Sequence, residues 1–102
     1  MTRRIRFTPP GRAQFLSAIA YIRADRPSAA RDFRNLVNDR LSHLVEFPDS
    51  GRIIPEFAQL PFREIIVVPY RFFYRAQDDT VWVVAAWHEA QIPEQPSEPS
   101  GG

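Results

Sequence analysis

The segment PYRFFYRAQDDTVWVVAAWH, residues 69–88, carries the side chains of this sequence that are best suited to chemistry. Two arginines, Arg71 and Arg75, lie in its first half, and His88 closes its second half. A guanidinium group binds carboxylate or phosphate oxygens through paired hydrogen bonds, and a histidine exchanges a proton near neutral pH. If the three groups share one face of a sheet, they could bind an anion and transfer a proton.

A two-residue turn at Asp78-Asp79 predicts a hairpin in which Arg75 pairs with Trp82. Side chains alternate along a strand, so each face of the hairpin collects every second residue. The apolar face, which helices must cover, is predicted to carry Tyr70, Phe72, Tyr74, Ala76, Val81, Val83, Ala85 and Trp87. The second face is predicted to carry Arg71, Phe73, Arg75, Trp82, Val84, Ala86 and His88.

The second face mixes arginines with aromatic rings. Taken singly, its residues have plain structural explanations: Arg75 can stack on Trp82, and Arg71 can pair with Glu64 on the neighbouring strand. Taken together, an uncovered sheet face of this composition favours a binding surface, because monomers seldom expose such patches. The predicted target-binding residues are Arg71, Phe73, Arg75 and Trp82.

The elements that position these residues belong to the α+β class. Residues 4–8 alternate as a short strand, and Thr8-Pro9 is typical of a helix start. Apolar residues recur at helical spacing within residues 10–24 and 28–47, which predicts an antiparallel helix hairpin. Residues 52–61 form an irregular connection.

Three β-rich runs then predict a three-stranded antiparallel meander, one small sheet covered on one face by the helices. The runs are residues 63–68, 70–76 and 80–87. The predicted core comprises Phe15, Ile19, Phe33, Val37, Leu41, Phe72, Tyr74, Val83 and Trp87. We expect a single domain over residues 1–91, followed by a disordered tail over residues 92–102 that is rich in proline, serine and glutamate.

Composition narrows the classes of function. The net charge of +1 is too small for a nucleic-acid binder by bulk charge, although all thirteen basic residues are arginine. The absence of cysteine and the isolation of the two histidines predict no metal and no cofactor. The longest apolar run, Val81 to Trp87, is far shorter than the roughly 20 residues of a membrane helix, and the N-terminus lacks a signal peptide. The expected location is the cytoplasm, with no membrane partner.

The order strand, two helices, three strands resembles the RelE/ParE family of toxins from bacterial toxin–antitoxin pairs. Three stretches carry the resemblance: FPDSGR after the second helix, REIIVVPYRFFYR across two strands, and VWVVAAWH on the last strand. It covers residues 3 to about 91. The resemblance implies a small toxin held inactive in a hetero-oligomer by a cognate antitoxin, whose disordered segment folds over it.

The family has two activities on one fold, so the fold alone does not choose between them. RelE-like members cut messenger RNA in the ribosome, and ParE-like members poison DNA gyrase. For a RelE-like nuclease the resemblance implies three catalytic residues: Arg71 at the scissile phosphate, Glu56 as general base and His88 as general acid. The chain departs from the RelE type because it has no lysine and carries Glu89-Ala90-Gln91 after the last strand.

The Gly-Arg pair after Pro48, the PYRFFYR run and the terminal histidine resemble the ParE-like, plasmid-stabilisation branch more closely. A ParE-like toxin that inhibits growth through DNA gyrase is therefore the first hypothesis. A RelE-like ribosome-dependent endoribonuclease is the alternative. A degenerate, non-toxic module that only binds the antitoxin is the third, and toxicity on expression without the antitoxin separates it from the other two.

Overall fold

The computed structural model of the chain describes residues 3–99. Two helices, α1 (Pro9–Asp25) and α2 (Pro27–Glu46), form the predicted hairpin. The Thr8 hydroxyl accepts a hydrogen bond from the backbone N–H of Gly11 at 3.2 Å, which caps α1 as its sequence predicts. Arg26 lies between the helices in an extended conformation, because the residue before a proline avoids helical geometry.

Within the described residues, five strands form one mixed sheet in the order β1-β5-β4-β3-β2. Their bounds are β1 Arg4–Phe7, β2 Arg52–Ile53, β3 Arg63–Val67, β4 Tyr70–Gln77 and β5 Thr80–His88. Strands β3, β4 and β5 form the predicted antiparallel meander. The α+β class is confirmed, but the three-stranded sheet is a correction: β1 adds parallel to β5, and β2 adds antiparallel to β3. Strand β2 has only two residues, which is too short to show an alternating pattern. The pairing of β1 with β5 is not visible in the local sequence either, because the helix hairpin and three strands separate the two in the chain.

A bulge changes the predicted register of β4 and β5. Near the turn, Arg75 pairs with Trp82 as predicted. Beyond a register shift next to Phe73, Arg71 pairs with Trp87, one residue past its predicted partner, and Val84 is the extra residue of β5. One extra residue exchanges the two faces for every later position of that strand.

The side chains at the end of β5, after Val84, therefore lie on the opposite faces of the sheet from those predicted. Ala86 packs in the core under the helices, whereas Ala85 and Trp87 pack on the opposite face. The placement of Trp87 in the helix-covered core was wrong for this reason. His88 pairs with Tyr70 and lies on the helix side, not on the face that carries Arg71.

The main core lies between the helix hairpin and one face of the sheet. Eight of the nine predicted core residues are buried there: Phe15, Ile19, Phe33, Val37, Leu41, Phe72, Tyr74 and Val83. The confirmed matches follow from helical spacing on α1 and α2 and from alternation on the part of the sheet that precedes the bulge.

A second cluster covers the opposite face, which the sequence analysis predicted to be bare. Ile54 and Phe62, from the connection between β2 and β3, are buried against Phe73 of β4. Phe57, from a short 3₁₀ turn at Pro55–Phe57, packs beside them. The irregular connection is thus an apolar cover, and two of the four predicted target-binding residues, Arg71 and Phe73, are buried beneath it.

The structure describes residues 92–99 of the segment that the sequence analysis expected to be a disordered tail. They have no regular secondary structure, but Pro93 and Pro96 are buried, and Glu98 forms an ion pair with Arg75. Residues 100–102, which the same prediction included, lie outside the described residues. None of the helices in the described part of the chain is long and apolar enough to cross a membrane.

Candidate functional site

Arg71 lies at the centre of a charge network on the second face of the sheet. Its Nε donates to Glu64 Oε1 at 2.8 Å, and its Nη1 and Nη2 donate to Glu56 Oε2 and Oε1 at 2.8 and 2.6 Å. The other oxygen of Glu64 accepts a hydrogen bond from Arg52 Nε at 2.6 Å. The pairing of Arg71 with Glu64, expected as a structural alternative, is confirmed. All three guanidinium nitrogens are engaged by carboxylates.

Burial and charge fix the protonation states of this network. The side chain of Arg71 is 8% exposed and that of Glu64 is 0% exposed, so the pair lies away from water. The hydrogen bonds that Arg71 donates to Glu56 and Glu64 raise its pKa above the ordinary value. The hydrogen bond from Arg71 lowers the pKa of Glu56 from 4.5 to about 2. A general base works best with a pKa near the operating pH, so Glu56 is poorly suited to that role in this arrangement.

The network predicts a pH-dependent contribution to stability from Glu56. Because its pKa is lowered in the folded chain, the contribution is present above pH 4.5 and is lost as the pH falls toward about 2. We expect the urea midpoint of the wild type to fall more steeply over this range than that of Glu56→Gln. Glu89→Gln, at an exposed turn position, is the matched control and should keep the wild-type slope. Equal slopes for wild type and Glu56→Gln would contradict the lowered pKa.

His88 lies apart from Arg71 and Glu56. Its ring packs edge-on against Tyr70 at 5.3 Å on the helix side of the sheet. Its Nδ1 accepts a hydrogen bond from the backbone N–H of Ala90 at 3.0 Å, which assigns the proton of the neutral ring to Nε2. The structure therefore brings Arg71 and Glu56 together and leaves the third predicted catalytic residue on the other side of the sheet.

The four predicted target-binding residues divide into buried and accessible pairs. Phe73 is fully buried and Arg71 nearly so, both beneath the connection between β2 and β3. Arg75 and Trp82 remain partly exposed on the same face. A molecule approaching this face would therefore meet Arg75 and Trp82 and would not touch Phe73.

Sequence reasoning missed Arg6 in this region. The register pairs Arg6 with Trp82 and Trp82 with Arg75, so a row of cation, indole and cation crosses three strands. The Arg6 guanidinium lies 5.2 Å from the Trp82 ring, whereas Arg75 lies 5.9 Å from the ring of Phe62. The expected stacking of Arg75 on Trp82 was thus wrong in its partner. The alternation of residues 4–8 predicted a strand that contains Arg6. The position of Arg6 beside Trp82, however, follows only from the parallel pairing of β1 with β5.

Residues 5–93 match the family model described as ParE toxin of type II toxin-antitoxin system, parDE. The chain belongs to the ParE toxin family. The match runs from β1 to the start of the proline-containing segment after β5, so it includes the charge network, the Arg6–Trp82–Arg75 row and His88. Membership confirms the resemblance to RelE/ParE toxins and implies a cognate antitoxin as partner. No curated protein matches the chain with significance.

In this ParE-family toxin the FPDSGR stretch has a structural explanation. The Tyr74 hydroxyl donates to the carbonyl oxygen of Pro48 at 2.6 Å and accepts from the backbone N–H of Gly51 at 3.0 Å. A Cβ atom at Gly51 would lie 2.5 Å from that hydroxyl oxygen and 2.8 Å from the carbonyl oxygen of Glu64. Only glycine fits, and the tight turn sets Arg52 beside Glu64. Across residues 3–99 the toxin has no group of three His, Asp or Glu side chains that could hold a metal ion.

Proposed function

We propose that this toxin inhibits growth by acting on DNA gyrase in the cytoplasm, and that its cognate antitoxin neutralises it by binding. The observation that carries the choice of target is the separation of His88 from Arg71 and Glu56 across the sheet. An endoribonuclease needs its phosphate-binding cation, base and acid around one scissile bond. Membership in the ParE family also supports gyrase as the proposed target.

The RelE-like alternative would require a large rearrangement of this site. Arg71 would have to leave Glu56 and Glu64 before it could bind a phosphate, and the buried Glu64 carboxylate would then keep only the partly exposed Arg52 as its partner. His88 would also have to reach the opposite side of the sheet. Nuclease activity is therefore the second candidate, and a non-toxic antitoxin-binding module is the third.

The Arg6–Trp82–Arg75 row is the proposed contact surface for gyrase. It combines two guanidinium groups with an indole ring, the residue types that dominate binding energy at protein interfaces. Both Arg75 and Trp82 are accessible, unlike the buried Arg71 and Phe73. An acidic surface with an apolar centre is the complement that this row would recognise.

A different surface is proposed for the antitoxin. A cavity of about 540 Å³ opens between α1 and the end of β5, and Tyr21, Tyr70, Trp87 and His88 are among the residues that line it. Tyr21, which is 72% exposed, presents apolar surface on α1 at this cavity. An amphipathic segment that folds on binding could place its apolar side chains in such a groove.

Growth on expression without the antitoxin tests the proposal. We expect the wild type and His88→Ala to arrest growth, and the double variant Arg75→Ala with Trp82→Ala to lose toxicity. Truncating a central Arg or Trp of an interface costs about 2 kcal/mol or more, which weakens target binding by roughly thirtyfold. Soluble expression and an unchanged circular dichroism spectrum serve as controls for folding. A folded His88→Ala variant without toxicity would instead favour the nuclease, and a harmless wild type would favour the binding module.

A further inference from the structure

The segment after β5, residues 92–99, repeats with a period of three. Its prolines are Pro93, Pro96 and Pro99, and of its eight residues these three are the ones that are buried or half-buried. The other five residues, Ile92, Glu94, Gln95, Ser97 and Glu98, are exposed. Three residues per turn is the repeat of the polyproline II helix. The segment therefore presents one proline face to the body of the toxin.

The surface beneath the segment is a shallow groove. It lies between the start of α1 and the middle of β5, and the body residues that line it are Thr8, Pro9, Pro10, Gln14, Val84, Ala85 and Trp87. Val84, which lines this groove, is the extra residue of the β5 bulge. A groove walled by an indole ring, prolines and small apolar side chains is the type of surface on which polyproline II segments dock.

The segment fills this groove incompletely. A cavity of about 290 Å³ remains between the two, with Pro96 on one wall and Trp87 on another. The indole nitrogen of Trp87 is buried, and no group within residues 3–99 accepts a hydrogen bond from it. A buried donor without an acceptor is unfavourable, so a segment seated more closely would gain by offering a backbone carbonyl to it.

An ion pair between the segment and the body of the toxin orients the segment in the groove. The segment carries Glu94 and Glu98 and no basic residue, and Glu98, which lines the groove, forms an ion pair with Arg75. Both partners of this pair retain contact with solvent. Exposed ion pairs stabilise weakly, so this contact can orient the segment without fixing it permanently.

We propose that the groove is a binding site for acidic, proline-repeat peptide segments, and that the toxin's own residues 92–99 occupy it as a displaceable internal ligand. The incomplete filling, the unpaired indole nitrogen and the exposed ion pair all favour exchange for a segment of the same chemistry in trans. The docking of residues 92–99 does not depend on gyrase being the target, although Arg75 belongs both to this contact and to the proposed gyrase surface.

Acrylamide quenching of tryptophan fluorescence in the full-length chain tests the internal docking. Pro93→Ala combined with Pro96→Ala should increase the quenching, because the segment then covers Trp87 less. Glu94→Ala combined with Ser97→Ala changes two exposed positions of the same segment and should leave the quenching as in the wild type. Quenching that is unaffected by the proline substitutions would overturn the proposal.

Binding in trans is tested with a synthetic peptide of the sequence IPEQPSEP, titrated into the full-length Pro93→Ala/Pro96→Ala variant. We expect saturable binding that is lost when both buried prolines of the peptide are alanine, and that is roughly two- to fivefold weaker when Arg75→Ala is added. Binding that ignores the prolines, or no binding at all, would overturn the proposal. A wild-type chain that forms dimers dependent on Pro93 and Pro96 would show that the segment occupies a second copy, and would overturn its assignment as an internal ligand.

Discussion

Replacing Arg71 with alanine lowers the free energy of unfolding by about 3–5 kcal/mol, the usual effect of removing one partner from a buried ion pair. The reason is Glu64, whose fully buried carboxylate would retain only Arg52, a side chain that is 57% exposed. Natural domains are stable by about 5–15 kcal/mol, so the variant would be severely weakened and would lose toxicity through its folding. Urea unfolding followed by circular dichroism measures the change.

Arg52→Ala is the matched control for this prediction, because it removes the other arginine from the same carboxylate. Because the Arg52 side chain is 57% exposed, solvent screens its pairing with Glu64, and its removal should cost only about 1 kcal/mol. Equal losses for Arg71→Ala and Arg52→Ala would contradict the central position of Arg71 in the network. The comparison also separates a structural role of Arg71 from a catalytic one, since a purely catalytic arginine could be removed without loss of stability.

Replacing Phe73 with alanine should lower the free energy of unfolding by about 3–5 kcal/mol, as expected for a large-to-small change in a core. Phe73 is 0% exposed and holds the connection between β2 and β3 against the sheet, with the Phe57 ring edge-on at 6.5 Å. Phe47→Ala makes the same chemical change at a position that is 53% exposed, and we expect it to cost below about 1 kcal/mol. Similar urea midpoints for the two variants would show that the second cluster is not a core.

The parts of the fold that were predictable from the sequence are those with a repeating local signal. Helical spacing identified both helices, Thr8 and Pro9 marked the start of α1, and alternation placed Phe72 and Val83 under the helices. The bulge at Val84 has no comparable signature, because one inserted residue leaves the apolar pattern of VWVVAAW unbroken. That single residue reversed the faces of Trp87 and His88.

In the candidate site, only the contacts between neighbouring strands could be predicted from the sequence. Glu64 and Arg71 belong to adjacent strands of a meander, and their pairing was foreseeable. Glu56 lies in a connection whose position follows from tertiary packing. Its two hydrogen bonds with Arg71 could therefore not be predicted from the sequence. The prolines near both ends of that connection predicted an irregular loop. In the structure, its residues Ile54 and Phe62 belong to the second apolar cluster.

DNA supercoiling by purified gyrase, assayed beside cleavage of ribosome-bound messenger RNA, tests the proposed target most directly. With purified toxin we expect supercoiling to be inhibited by the wild type and by His88→Ala, to recover with the Arg75→Ala/Trp82→Ala double variant, and messenger RNA to remain intact throughout. Messenger cleavage that disappears in His88→Ala, together with unaffected supercoiling, would contradict this account and establish the nuclease in its place.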